Sequence, residues 1–86
     1  MTVEDRMSMA NALEDPQARL LVEPIFQFFA DNGSGYPAPE TTAIHGVFRS
    51  MAKRLILDLP RNPERTVALR KLMEARDCAM RAAVMK

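Results

Sequence analysis

The side chains of this 86-residue sequence best suited to chemistry are its cations. Arg49 and Lys53 stand four residues apart and share a face if that stretch is helical, with Arg54 beside them. Arg61 and Arg65 flank Asn62-Pro63-Glu64, which reads as a helix start. At such a start, backbone N–H groups and the helix dipole already favour an anion. Thr66 adds a hydroxyl there. Arginine grips phosphate through two parallel hydrogen bonds, and lysine supplies a point charge. Tyr36, in a proline-rich loop, offers a ring on which a base can stack. Together these residues suit a small nucleotide. Singly, each is also what a solvated helix face contains.

Catalysis has no comparable basis. A nucleophile needs an activating base beside it, and the only histidine, His45, has no recognised spacing to Ser50 or Cys78. His45 reads as a structural or surface residue. Cys78, among Ala75, Ala79 and Ala82, reads as a small buried apolar residue. Gly33-Ser34-Gly35 is a turn: it is too short for a phosphate-cradling loop, and no lysine opens a helix after it. One cysteine permits no intrachain disulfide, and one cysteine with one histidine excludes a Cys–His zinc site. The expectation is therefore a protein that is not an enzyme, with no cofactor and no metal.

Four helical segments would position the cations. The first is expected over Val3 to Leu13, with Thr2 and Asp5 three apart at its start and only a weak apolar stripe, so that residues 1–15 read as an N-terminal arm. The second spans Pro16 to Ala30 behind Asp15 as cap. Its Leu20, Leu21, Val22, Ile25, Phe26, Phe28 and Phe29 cover most of a helix circumference, which asks for cover on several sides. Pro24 either kinks this helix or marks its true beginning. Two glycines and two prolines make Asp31 to Pro39 a loop. The third helix, Glu40 to Leu59, carries Ile44, Val47, Phe48, Met51, Leu55 and Leu59 at helical spacing. The fourth starts at Asn62-Pro63-Glu64 and lines Leu69, Leu72, Met73, Ala79, Met80 and Ala83 along one face. A short turn joins the last two into an antiparallel helical hairpin over residues 40–84.

This describes one all-α domain, a small helical bundle built on that hairpin. A chain of 86 residues buries only roughly 60–65% of its unfolded surface, and domains this small often need a staple. With no disulfide or metal site, homo-oligomerisation is expected to complete the core. Composition is ordinary, at 48% hydrophobic and 27% charged, with seven methionines to fill irregular gaps. Net charge is divided unevenly: residues 1–43 hold two basic and seven acidic side chains, and residues 44–86 hold ten and four. That split fits attraction between halves or subunits, a basic surface for an anionic ligand, or solvated helix faces. No apolar run reaches the roughly 20 residues a bilayer demands, and Met1 to Arg6 lack the pattern of a signal peptide. With a free cysteine, these features lead us to expect a cytoplasmic protein with no membrane partner. A nucleic-acid partner is disfavoured, because the pI is near 7.9 and the Leu59-Pro60-Arg61-Asn62-Pro63 turn is not that of a helix-turn-helix.

One resemblance sharpens the functional expectation. From Phe48 onward the chain reads Phe-x-x-x-Ala-x-x-Leu, then Leu59-Pro60-Arg61-Asn62-Pro63-Glu64-Arg65-Thr66-x-Ala68-Leu69, then Leu72-x-Glu74-Ala75 and an alanine-rich end. This resembles the phage anti-CBASS sponge family, small helical proteins that sequester cyclic oligonucleotide signals of bacterial immunity. Tyr36-Pro37-Ala38-Pro39 is similar to that family's tyrosine-histidine-x-proline loop, with Pro37 in place of the histidine. The likeness spans about half the chain. The usual aromatic and asparagine of the last helix are replaced around Asp77 to Met80, and residues 1–35 have no counterpart. The resemblance implies a viral anti-defence sponge acting in the host cytoplasm as a homo-oligomer such as a hexamer, with a cyclic di- or oligonucleotide held between subunits. It implies that Tyr36 stacks on a base and that Arg49 or Lys53 meets phosphate, with Arg65 and Thr66 drawn from the matching helix start. Two other readings stay open: a protein-binding adaptor or inhibitor that uses the apolar stretch 20–29, and a small nucleic-acid-binding regulator.

Overall fold

The computed structural model describes residues 2–30 and 39–85. Its regular structure is entirely helical, with no strand among those residues. Helix α1 spans Val3–Glu14, α2 spans Ala18–Val22, a 3-10 turn covers Pro24–Phe26, α3 spans Gln27–Ala30, α4 spans Pro39–Asp58 and α5 spans Pro63–Val84. Of the loop expected over Asp31 to Pro39, residues 31–38, Tyr36 among them, lie outside the described ones, and Pro39 begins α4.

Helix starts are where the residues announce them. Thr2 caps α1 with a reciprocal box: its hydroxyl accepts from the Asp5 N–H and the Asp5 carboxylate accepts from the Thr2 N–H. Asp15 Oδ1 accepts from the N–H groups of Gln17 at 2.9 Å and Ala18 at 3.4 Å, turning the chain into α2. Asn62 Oδ1 accepts from the Arg65 N–H at 2.9 Å, with Pro63 and Glu64 in the first turn of α5.

The single helix expected over 16–30 does not form. Proline lacks an N–H and forces the preceding residue out of helical geometry. Glu23 is accordingly extended, at φ −157° and ψ 95°, and the chain restarts as a 3-10 turn at Pro24. The break turns Phe26 and Phe29 inward, both fully buried, and leaves Leu20, Leu21 and Phe28 at 49%, 80% and 49% exposure. The need for cover around a continuous apolar cylinder therefore shrinks to three exposed side chains.

The core is Leu13 from α1, Phe26 and Phe29, Ala52 and Ile56 from α4, and Leu69 from α5. The Phe26 and Phe29 rings stack with centroids 6.3 Å apart. Helices α4 and α5 pack against each other more extensively than any other pair of elements, across the short connection 59–62. The buried face of α4 is rotated from the expected stripe. Thr41, His45, Ala52 and Ile56 point inward, while Val47, Met51 and Leu59 are exposed. His45 can face the core because its Nε2 lies 3.1 Å from the Phe29 carbonyl oxygen. On α5, Leu69 and Met80 are buried and Leu72 and Met73 are half-buried, as their spacing implies. Cys78 is exposed, not buried: it lies on the outer face of α5, and Arg81 Nη2 donates to its sulfur at 3.3 Å.

Candidate functional site

The two halves of the chain neutralise each other. Glu14, at the end of α1, receives Lys53 Nζ at 3.0 Å on one carboxylate oxygen and the Arg49 guanidinium on the other. Burial pushes the Glu14 carboxyl up, but the hydrogen bonds and charges of Lys53 and Arg49 outweigh it and hold the group below the ordinary glutamate value. Arg49 also stands 5.8 Å from the Phe26 ring centroid. At the other end of α1, Arg6 pairs with Asp58 and donates to the Leu57 carbonyl at 3.2 Å. Arg54 and Arg6 both hold the Asp58 carboxyl low. Arg49 and Lys53 thus meet on one face, as their spacing requires, and there they hold an internal carboxylate.

Arg65 lies inside the protein, 5% exposed. Its Nη1 donates to the carbonyls of Ile56 and Leu59, each at 3.2 Å, and its Nη2 reaches Glu23 Oε2 at 3.3 Å. Glu23 is equally buried, at 4%. The guanidinium therefore ties the end of α4, the start of α5 and the extended residue before Pro24 into one joint. Its acceptors all come from this chain.

Two expected site residues border cavities: Arg65 lines one of about 300 Å³ with Met9, Val22 and Ile56, and Thr66 lines another. A groove of about 420 Å³ runs between the stretch 23–28 and the outer side of α5. Glu23, Pro24, Ile25, Gln27 and Phe28 form one wall, and Arg61, Thr66, Arg70 and Met73 form the other. Arg61 donates to the Leu21 carbonyl at 3.4 Å, which holds it at the groove's end. Arg70 is exposed and has no hydrogen-bond or ion-pair partner among the described residues. Phe28 and Met73 supply apolar surface to the same groove. Its lining offers apolar surface for a planar group and cations for an anion, with the Glu23 carboxylate engaged by Arg65.

Arg70 was absent from the sequence-derived site, yet its signal was present. Thr66, Arg70 and Met73 recur at i, i+4 and i+7, which sets hydroxyl, cation and thioether on one face of α5. The opposite wall could not be read in the same way, because Pro24 to Phe28 reach the groove only through the break before Pro24.

The chain matches no protein-family model, no curated protein and no solved structure. No helix among the described residues is long and apolar enough to cross a membrane.

Proposed function

We propose that this protein acts by stoichiometric binding without turnover, capturing a cyclic di- or oligonucleotide signal and lowering its free concentration. The observation that supports this best is the groove beside α5, whose lining combines Arg61, Thr66 and Arg70 with the apolar Ile25, Phe28 and Met73. Phosphodiester charge would sit on Arg70 and Arg61, a base would lie along Phe28, and the Thr66 hydroxyl would donate to a phosphate oxygen. Arg49 and Lys53 remain candidates for a second phosphate if Glu14 swings aside, and Tyr36 for stacking. The role we assign to Arg65 is to hold the first turn of α5 in place. The likeness of residues 48–84 to sponge proteins supports the same reading, and with it we propose that α4 and α5 form an antiparallel hairpin and that self-association completes the bundle.

Calorimetry of the full chain against cyclic di- and trinucleotides tests the proposal. A cyclic nucleotide should bind with saturable stoichiometry. Arg70→Ala should weaken binding roughly tenfold or more, the scale of one hydrogen bond to a charged group. Indifference to every cyclic nucleotide offered would end the reading. Leu20, Leu21 and Phe28 favour a second one, a protein-binding adaptor, because exposed apolar side chains of this size suit a partner surface. Capture of a host protein that is lost on Phe28→Asp, with no nucleotide binding, would select it.

A further inference from the structure

We infer that Glu23 makes the groove selective for guanine among the nucleobases, its free carboxylate oxygen accepting from the N1–H and 2-amino groups of a base seated on the wall that carries Glu23 and Phe28. The inference rests on the proposed function, which supplies the nucleotide, and adds which base the groove reads.

The starting observation is a buried acceptor with nothing to accept. Glu23 lines the groove and is 4% exposed. Its Oε2 takes Arg65 Nη2 at 3.3 Å, while its Oε1 has no hydrogen-bond partner among the described residues. Buried polar atoms are nearly always matched, so an unmatched carboxylate oxygen in a cavity wall calls for a donor from outside the chain. Arg65 does not fill the vacancy. Its Nη1 is held by the carbonyls of Ile56 and Leu59, which fixes the rigid guanidinium fork, and its Nε is not bonded to Oε1.

The rest of the lining says what kind of donor is called for. A cationic donor is disfavoured, because Arg61 and Arg70 stand on the opposite wall and Arg65 already occupies the other carboxylate oxygen. The donor is therefore a neutral N–H or O–H on an anionic molecule. The two walls divide such a ligand between them. Phosphate suits Arg61, Thr66 and Arg70 on the α5 wall, and a ring suits Phe28 on the wall that includes Glu23. With the sugar spanning the walls, the group brought to Glu23 is the edge of the base.

Guanine presents two adjacent donors on that edge, N1–H and the 2-amino group. In adenine and cytosine the amino donor has a ring-nitrogen acceptor beside it, and in uracil the N3–H lies between two carbonyls. Each of these would turn a lone pair toward the carboxylate charge. Gln27, exposed on the same wall, has an amide that both donates and accepts. It can serve guanine O6 without choosing between bases, so the choice falls on Glu23.

Calorimetry of the full chain against cyclic di-GMP, cyclic di-IMP and cyclic di-AMP tests this, since the three share one phosphodiester ring. Inosine keeps N1–H and O6 and lacks only the 2-amino group. Cyclic di-GMP should bind tightest, cyclic di-IMP roughly tenfold weaker for one lost hydrogen bond to a charged group, and cyclic di-AMP weaker still. Cyclic di-IMP as tight as cyclic di-GMP, or cyclic di-AMP as tight as either, would overturn the inference and leave the proposed function standing. Indifference to all three would overturn both. Two variants trace the preference to its residue. Glu23→Leu with Arg65→Met removes the acceptor and its counterion together, and should bind the three ligands within about threefold of one another, as expected once the charged acceptor is gone. Glu23→Gln keeps an oxygen for Arg65 and sets an amide donor at the other atom, so the preference should turn toward adenine, whose ring nitrogen then finds a partner. Circular dichroism reports that each variant is folded. A folded variant of either kind that still prefers guanine as wild type does would refute the assignment to Glu23.

Discussion

Replacing Arg65 with methionine should reveal how much of the fold hangs on one buried guanidinium. Arg65 contributes three side-chain contacts inside the protein: two carbonyls that end α4, at Ile56 and Leu59, and the Glu23 carboxylate. Methionine fills similar volume but donates nothing. The Glu23 carboxylate, 4% exposed, would then be buried without its counterion. Removing one partner of a buried ion pair costs about 3–5 kcal/mol, because the desolvated charge left behind has lost its compensation. A chain of 86 residues has a total stability of roughly 4–13 kcal/mol. At about 4–8 °C per kcal/mol for a domain this small, the melting temperature should fall by at least about 12 °C. Urea unfolding followed by circular dichroism measures the change as a lower midpoint at constant slope. The companion variant Glu23→Leu with Arg65→Met should recover most of the loss, since apolar pairs often replace buried ion pairs at little cost. The pair is imperfect as it stands, with Glu23 Oε1 and Arg65 Nε lacking hydrogen-bond partners among the described residues, and this favours recovery. An Arg65→Met variant within about 1 kcal/mol of wild type would refute the structural role and return Arg65 to the ligand.

Other outcomes follow from the same geometry. The Glu14 carboxyl is held below its ordinary value of 4.5, so the stability it contributes is present above that pH and is lost as pH falls through the lower, folded value; thermal melts across the acid range should show this decline, and Glu14→Gln should flatten it. Asn62→Ala removes the cap of α5 and should cost about 1 kcal/mol in urea titrations, with the fold intact. Exposed Cys78 should react with a thiol reagent in the native protein within roughly tenfold of its rate in the unfolded chain, since access and thiolate fraction govern that rate; strong protection would contradict its placement on the outer face of α5.

Much of the helical layout was legible because it depends on local chemistry. The capping box at Thr2 and Asp5, the Asn62-Pro63-Glu64 start of α5 and the inward Leu69 and Met80 act within a few residues of themselves. What was not legible depends on a neighbour. Val47 and Met51 share the helical period of a core stripe, but that period does not say which of two stripes turns inward. His45 and Thr41 took the inner side because the Phe29 carbonyl lies within reach of His45. Cys78 looked buried among alanines, yet small residues line an exposed face as readily as a close contact. The candidate site divided along the same line. Thr66 reached a groove whose other wall exists only because Pro24 breaks the chain, whereas Arg65, the same kind of residue one position earlier, turned inward.

The uneven charge therefore has two parts with different consequences. Glu14 and Glu23, from the acidic half, meet Arg49, Lys53 and Arg65, and Arg6 returns to Asp58; these pairs bind the halves of one chain together. Subtracting them leaves Arg19, Arg61, Arg70 and Lys71 without a carboxylate partner among the described residues, and two of these, Arg61 and Arg70, line the groove. An anionic ligand would select the cations that the fold has not already neutralised, and the free energy of binding would not first have to break an internal ion pair. That ordering makes the α5 groove the better first site, and it makes Arg49 and Lys53 a site whose affinity should rise when Glu14 is replaced by glutamine.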